Sequence, residues 1–302
     1  MRPGIVSDEA DFDLTRVLRD FVPEFGLGEI ELRELKQDGR RIYLARDADL
    51  QMAREIGCQL ADAGVRLTAL DTPVFKVAWP GTQPLSFPAD QHPPAATAAD
   101  AGLEDQFELL RRAAGLAHEL GTRRLRVFAF LRVARPRDIL APMMDALGRA
   151  LEIAEKEDVE LLLENEFATN MATGPETASI LSALPHPRLS HLWDPGNSFA
   201  AGETPFPGAW QCLDPRRIAH IHVKDARRLP DGKVDWACMG AGVIDFAGQF
   251  RALRELNYNG SIALETHYRN PRNDRWNSSR ESMYGLLRLL RPAQDGQGDM
   301  AE

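Results

Sequence analysis

Cysteine is scarce in this chain: Cys58, Cys212 and Cys238 are the three among 302 residues, widely spaced and without a CxxC pair. That excludes a disulfide framework and a thiolate zinc site, and it fits a reducing cytoplasm. Long apolar runs are also missing. No stretch approaches the ~20 residues of a membrane span, and the amino terminus, MRPGIVSDEADFD, turns acidic before an apolar run of signal-peptide length appears. A positive excess is lacking too. The formal net charge is −9, and the arginine pairs 111–112, 123–124 and 227–228 lie scattered among acids, so a broad nucleic-acid surface is not expected. What remains is the expectation of a cytoplasmic protein with no membrane and no nucleic-acid partner.

What is present is alternation. Short β-type runs at Gly4–Val6, Ile30–Leu35, Arg66–Leu70, Leu125–Phe130, Val159–Leu163, Leu189–Trp193, Ile218–Val223 and Ser261–Glu265 are separated by amphipathic stretches. The helical patterns include Asp49–Ala63, Glu104–Leu120, Arg137–Glu157, Glu176–Leu184 and Phe246–Leu256. Strands alternating with helices pair in parallel through right-handed crossovers. Eight such units in a chain of this length predict a single closed (β/α)8 TIM barrel over residues 1–290, followed by a disordered polar tail at 291–302. The Pro-, Ala- and Thr-rich stretch Pro80–Ala98 predicts a surface excursion after the third strand.

In this fold chemistry sits at the carboxyl ends of the strands. The fifth predicted strand leads into Glu164-Asn165-Glu166, the sixth into Asp194-Pro195-Gly196-Asn197, the seventh runs His220-Ile221-His222-Val223-Lys224-Asp225, and the eighth ends Glu265-Thr266-His267. Three carboxylates aimed at one small volume repel one another unless a cation lies between them. Glu164, Asp194, His222 and Glu265 are therefore the candidate ligands of one divalent ion. Oxygen donors with one imidazole suit Mn²⁺ or Mg²⁺, and are compatible with Co²⁺ or Zn²⁺. His220 and His222 share the inward face two residues apart, with His222 nearer the rim and His220 one layer deeper. Arg33, Lys76, Glu166, Asn197, Lys224, Arg228 and His267 are candidate substrate contacts. Each has a bland reading as well: Lys224 with Asp225 as a rim salt bridge, Arg33 and Lys76 as surface charges.

Together LLLEN, WDPGN, HIHVKD and IALET, in this order and spacing, resemble the xylose-isomerase-like barrels, which include sugar and sugar-phosphate isomerases and epimerases. Val6-Ser-Asp-Glu9, Ile30-Glu-Leu-Arg33, Thr72-Pro-Val-Phe-Lys76 and Tyr258-Asn-Gly260 extend the resemblance to about Leu290. The resemblance implies a metal-dependent isomerase or epimerase of a sugar or related polyol. In it, Glu164 and Glu265 would be both ligands and the acid/base pair of an enediolate mechanism, and Arg228 would anchor a substrate oxygen. It also implies an alternative: a lyase, of inosose-dehydratase or keto-glycoside-cleaving type, on the same metal. Two departures stand out. Asn170 and Asn197 replace the titratable Glu and His of free-ketose epimerases. Asn197 and Asp235-Trp236-Ala237 likewise lack the extra imidazoles of the abasic-site endonucleases, so a three-zinc site is not expected. A homodimer is compatible with the resemblance.

Overall fold

The computed structural model describes residues 1–87 and 102–291. Eight parallel strands form the barrel: β1 (Arg2–Ile5), β2 (Glu29–Leu32), β5 (Arg66–Asp71), β6 (Arg124–Val127), β7 (Glu160–Glu164), β8 (Leu189–Trp193), β9 (Ile218–Val223) and β12 (Ser261–Leu264). Their order is β1-β12-β9-β8-β7-β6-β5-β2, and the Val6–Glu31 bridge closes the seam between β1 and β2. Gly4 permits this closure, because a Cβ there would stand 3.1 Å from the Glu29 carbonyl oxygen. The chain is thus a (β/α)8 TIM barrel, as its alternating pattern predicts.

Side-chain alternation along each strand divides the molecule into two interiors. Ile5, Ile30, Leu70, Leu125, Leu163, Trp193, Ile221 and Leu264 face outward and join the large apolar layer under the helices. Inside the barrel the apolar layer is small, with Ala69, Leu162 and Leu192 at its centre. Above that layer the same strands turn polar groups inward, so burial that would normally select leucine selects paired charges instead.

The helices start where capping chemistry dictates. Asp49 accepts a hydrogen bond from the Met52 amide ahead of Leu50–Asp62, and Asp245 accepts one from Gly248 ahead of Phe246–Glu255. Thr173 and Glu176 form a reciprocal capping box on Gly174–Ala183. The expected helices at 104–120 and 137–157 are present as Leu103–Glu119 and Leu140–Lys156.

Three elements depart from the sequence-based expectation. The predicted strand Ile30–Leu35 breaks after Leu32, and the chain continues into an antiparallel hairpin, β3 (Glu34–Gln37) with β4 (Arg40–Tyr43). Its turn, Asp38-Gly39, holds φ of 48° and 77°, the doubly left-handed geometry that Asp-Gly favours. A second hairpin, β10 (Asp225–Arg228) with β11 (Val234–Ala237), follows β9. The helix Arg275–Leu290 closes the described chain. Most of the excursion expected at Pro80–Ala98, and the expected tail beyond 291, lie outside the described residues. No helix among the described residues is long and apolar enough to cross a membrane.

Candidate metal centre

Four strands converge on one point. One donor atom from each of Glu164 (end of β7), Asp194 (after β8), His222 (β9) and Glu265 (after β12) lies within 4.8 Å of the others, all four side chains being buried. His222 Nδ1 stands 3.6 Å from both Glu164 Oε1 and Glu265 Oε2. Neither His222 Nδ1 nor Glu164 Oε2 has a hydrogen-bond partner, although both atoms are buried. Buried polar atoms are ordinarily satisfied; an unsatisfied His222 nitrogen 3.6 Å from two carboxylates is what a bound cation would complete. Three carboxylates and one imidazole are a donor set for Mn²⁺, Mg²⁺, Co²⁺ or Zn²⁺.

The cluster is oriented from behind. Asp194 Oδ1 accepts from the Asn197 amide, and Asn165 brackets the Asp194 backbone, its Oδ1 accepting from the amide and its Nδ2 donating to the carbonyl. Asn197 Nδ2 donates to Glu164 Oε1 at 3.0 Å, so the amide in the epimerases' histidine position holds a metal-capable carboxylate. Asn170 points elsewhere. It donates to the Ala129, Phe130 and Leu131 carbonyls and accepts from the Val133 amide, stitching the loop after β6.

Cations from the same interior balance the acids. Lys224 Nζ lies 2.5 Å from Asp194 Oδ2 and 2.5 Å from Glu265 Oε2. Gly196 makes room for it, since a Cβ there would come within 2.4 Å of Lys224 Cγ. Arg33 reaches Glu265 Oε1 at 2.5 Å while also holding Asp8 and Glu9. Arg126, on β6, is 3.5 Å from Asp71 and Glu164 and 3.6 Å from Glu265. Burial pushes the Asp194 carboxyl up to about 7 despite the neighbouring Lys224 ammonium. For Glu265 burial is outweighed by Lys224, His222 and Arg33, which hold it well below the usual carboxylate range. Burial likewise raises Asp71 well above its ordinary value, against the pull of Arg126.

The remaining candidates are distributed unevenly. Lys76 pairs with Glu166 at 3.1 Å, joining the loops after β5 and β7. His267 packs edge-on against Trp236 with ring centroids 5.0 Å apart, and burial together with the Lys224 charge pushes it down to about 3, so it is neutral. Arg228 is exposed and donates to the Gly232 and Phe199 carbonyls. Asp225 accepts from the backbone amides of Ala226, Gly240, Gly242 and Ile244, anchoring the loop that follows β11. Sequence reasoning missed Glu31, Asp71, Arg126 and Tyr43, whose hydroxyl accepts from Arg126 at 3.2 Å.

Residues 20–286 match the family described as xylose isomerase-like TIM barrel. The chain belongs to that family. An inosose dehydratase of Clostridium beijerinckii is 28% identical over 141 residues, 42% of this chain and 46% of that protein. One of Geobacillus kaustophilus is 28% identical over 138 residues, 41% and 44% respectively; the chain thus matches under half the length of these curated relatives. Among solved structures, the IolI protein with a binding zinc atom superposes with a TM-score of 0.72 at 15% identity, covering 96% of this chain and 98% of that one. The probable 3-DHS dehydratase AsbF from Bacillus anthracis gives 0.68 at 18%, covering 95% and 99%. An L-ribulose 3-epimerase gives 0.67 at 20%, covering 96% and 94%. At these identities the structures share the fold.

Proposed function

We propose that this chain is a divalent-metal-dependent lyase that dehydrates a polyhydroxylated keto compound, a small-molecule substrate rather than a nucleic acid. The metal, when bound, would be held by Glu164, Asp194, His222 and Glu265 and would polarise the substrate carbonyl, acidifying the adjacent C–H. The observation that carries the reading is the inequality of the two flanking carboxylates. Glu265 carries two full cations, Lys224 and Arg33, each at 2.5 Å. Glu164 carries one neutral amide at 3.0 Å and a guanidinium at 3.5 Å.

An epimerase acting from both faces needs two groups of similar proton affinity. Elimination needs one base and, opposite it, a cationic side that receives a departing oxygen. In this reading Glu164 takes the carbon-bound proton, and the C–H electrons pass to the carbonyl oxygen as an enolate. Collapse of the enolate then restores the carbonyl and forms a C=C bond, and the β-hydroxyl leaves as water with a proton from the Lys224 ammonium, while Glu164 keeps the proton taken from carbon. Inosose dehydratases among the curated relatives support the same outcome.

A second reading, an isomerase or epimerase of a sugar or polyol, is favoured by one feature: both glutamates stand 3.6 Å from the same His222 nitrogen. The two readings separate in a Mn²⁺-supplemented assay against ketoses, inososes and 3-keto-glycosides in deuterated water, followed by NMR. Elimination supports the lyase. Deuterium uptake without elimination supports the isomerase and overturns the dehydratase, and a protein that binds no divalent ion overturns both.

A further inference from the structure

We infer that Glu31 is the residue that readies His222 for metal, acting across the barrel through a brace that includes His220. Glu31 ends on β2, whereas both histidines lie on β9, and β12 and β1 separate these strands in the sheet. The carboxylate spans the interior to meet two imidazoles at once: Oε1 lies 2.6 Å from His220 Nε2 and Oε2 lies 2.8 Å from His222 Nε2. All three side chains are fully buried.

A carboxylate offers acceptors alone. Each imidazole must therefore present Nε2–H to Glu31, which leaves Nδ1 as the His222 nitrogen facing Glu164 and Glu265, free to give up any proton to a metal. That nitrogen has no hydrogen-bond partner. Without Glu31, the two tautomers of His222 compete, and the Nδ1–H form turns a proton toward the metal position. His220 supplies the second donor that a fully buried carboxylate requires; with His222 alone, one Glu31 oxygen would be left unsatisfied. Glu31, His220 and His222 also group as a candidate three-donor ion site in their own right. The 2.6 and 2.8 Å contacts are instead hydrogen-bond lengths, and protons shared with Glu31 occupy the nitrogens an ion would need. The inference rests on the metal reading of the Glu164 cluster.

The test uses the full chain and Mn²⁺ as the probe. Imidazole ¹⁵N NMR should show His222 Nε2 carrying a proton to Glu31; an Nε2 without a proton overturns the inference. Calorimetry should give one Mn²⁺ per chain for the wild type. Glu31→Gln can offer an oxygen to one imidazole alone and should bind about 10- to 100-fold more weakly, even where its Tm equals that of the wild type. His220→Gln, which can still donate an N–H to Glu31, should lose less than Glu31→Gln. Equal Mn²⁺ affinity in Glu31→Gln overturns the brace while leaving the metal site intact. Two ions per wild-type chain overturns it in favour of a second site, and no Mn²⁺ binding by the wild type overturns the metal reading itself.

Discussion

The two halves of this barrel divide the work of one site. Strands β7, β8, β9 and β12 deliver the donors Glu164, Asp194, His222 and Glu265. Strands β2, β5 and β6 deliver what keeps those donors in place: Glu31 behind His222, Arg33 on Glu265, and Asp71 with Arg126 beneath the carboxylates. The donor half is built from groups that a cation would satisfy. The bracing half is built from charges paired with the donors and with one another, Glu31 on two imidazoles and Arg126 between Asp71, Glu164 and Glu265. Buried charges persist only when paired, so a barrel that gathers three carboxylates on one side needs compensating charge from the other.

This division gives the halves different responses to mutation. The largest effect is expected in the donor half. Asp194→Asn combined with Glu265→Gln should abolish measurable Mn²⁺ binding and turnover, and should lower stability because the buried Lys224 loses both carboxylates; calorimetry checks the binding, and circular dichroism checks that the variant is folded at the assay temperature. Undiminished binding would place the ion elsewhere.

In the bracing half, Arg126→Met should act on stability first. It strips the guanidinium from between Asp71, Glu164 and Glu265, and breaking a buried charge set costs about 3–5 kcal/mol. Urea unfolding without metal should show that loss, and Mn²⁺ should recover part of it through its preference for the folded state. A loss that Mn²⁺ leaves unchanged would mean that the halves are not coupled through charge.

A smaller, graded effect is expected from pH. Burial raises the Asp194 carboxyl to about 7, so below that value a proton competes with metal for its oxygen. Affinity for Mn²⁺ should fall as pH drops through 7, by at least about tenfold per unit for the proton displaced from Asp194. Affinity that rises on acidification would contradict the assignment of Asp194 as a ligand.

The smallest effect is expected outside both halves. Arg228 lies exposed against the Gly232 and Phe199 carbonyls, and Arg228→Ala should change stability by less than about 0.5 kcal/mol. A large rise in KM for that variant would extend the site to the β10–β11 hairpin.

The donor half was legible in the sequence and the bracing half, apart from Arg33, was not, for a physical reason. Each donor directly follows an outward apolar residue near a strand end, Leu163, Trp193, Ile221 or Leu264, so position and chemistry are read together. Glu31 and Arg33 sit in Glu29-Ile-Glu-Leu-Arg33, an alternation that marks equally a strand with one wet face. Nothing local says that this polar face turns into the barrel, because the partners of Glu31 lie 189 and 191 residues away. Arg126 and Asp71 are hidden in the same way, being neighbours only through the register of β5 on β6. The two hairpins were legible: Asp38-Gly39, and Pro230-Asp231-Gly232 between β10 and β11, are turn signals that the strand-and-helix rhythm overrode.

The most direct measurement of the central claim is anomalous diffraction at the manganese edge from crystals grown with Mn²⁺. The account predicts one peak at bonding distance, about 2.0–2.3 Å, from Glu164, Asp194, His222 Nδ1 and Glu265, with His222 Nε2 still on Glu31. A peak between Glu31, His220 and His222, or no peak among the four donors, would contradict it.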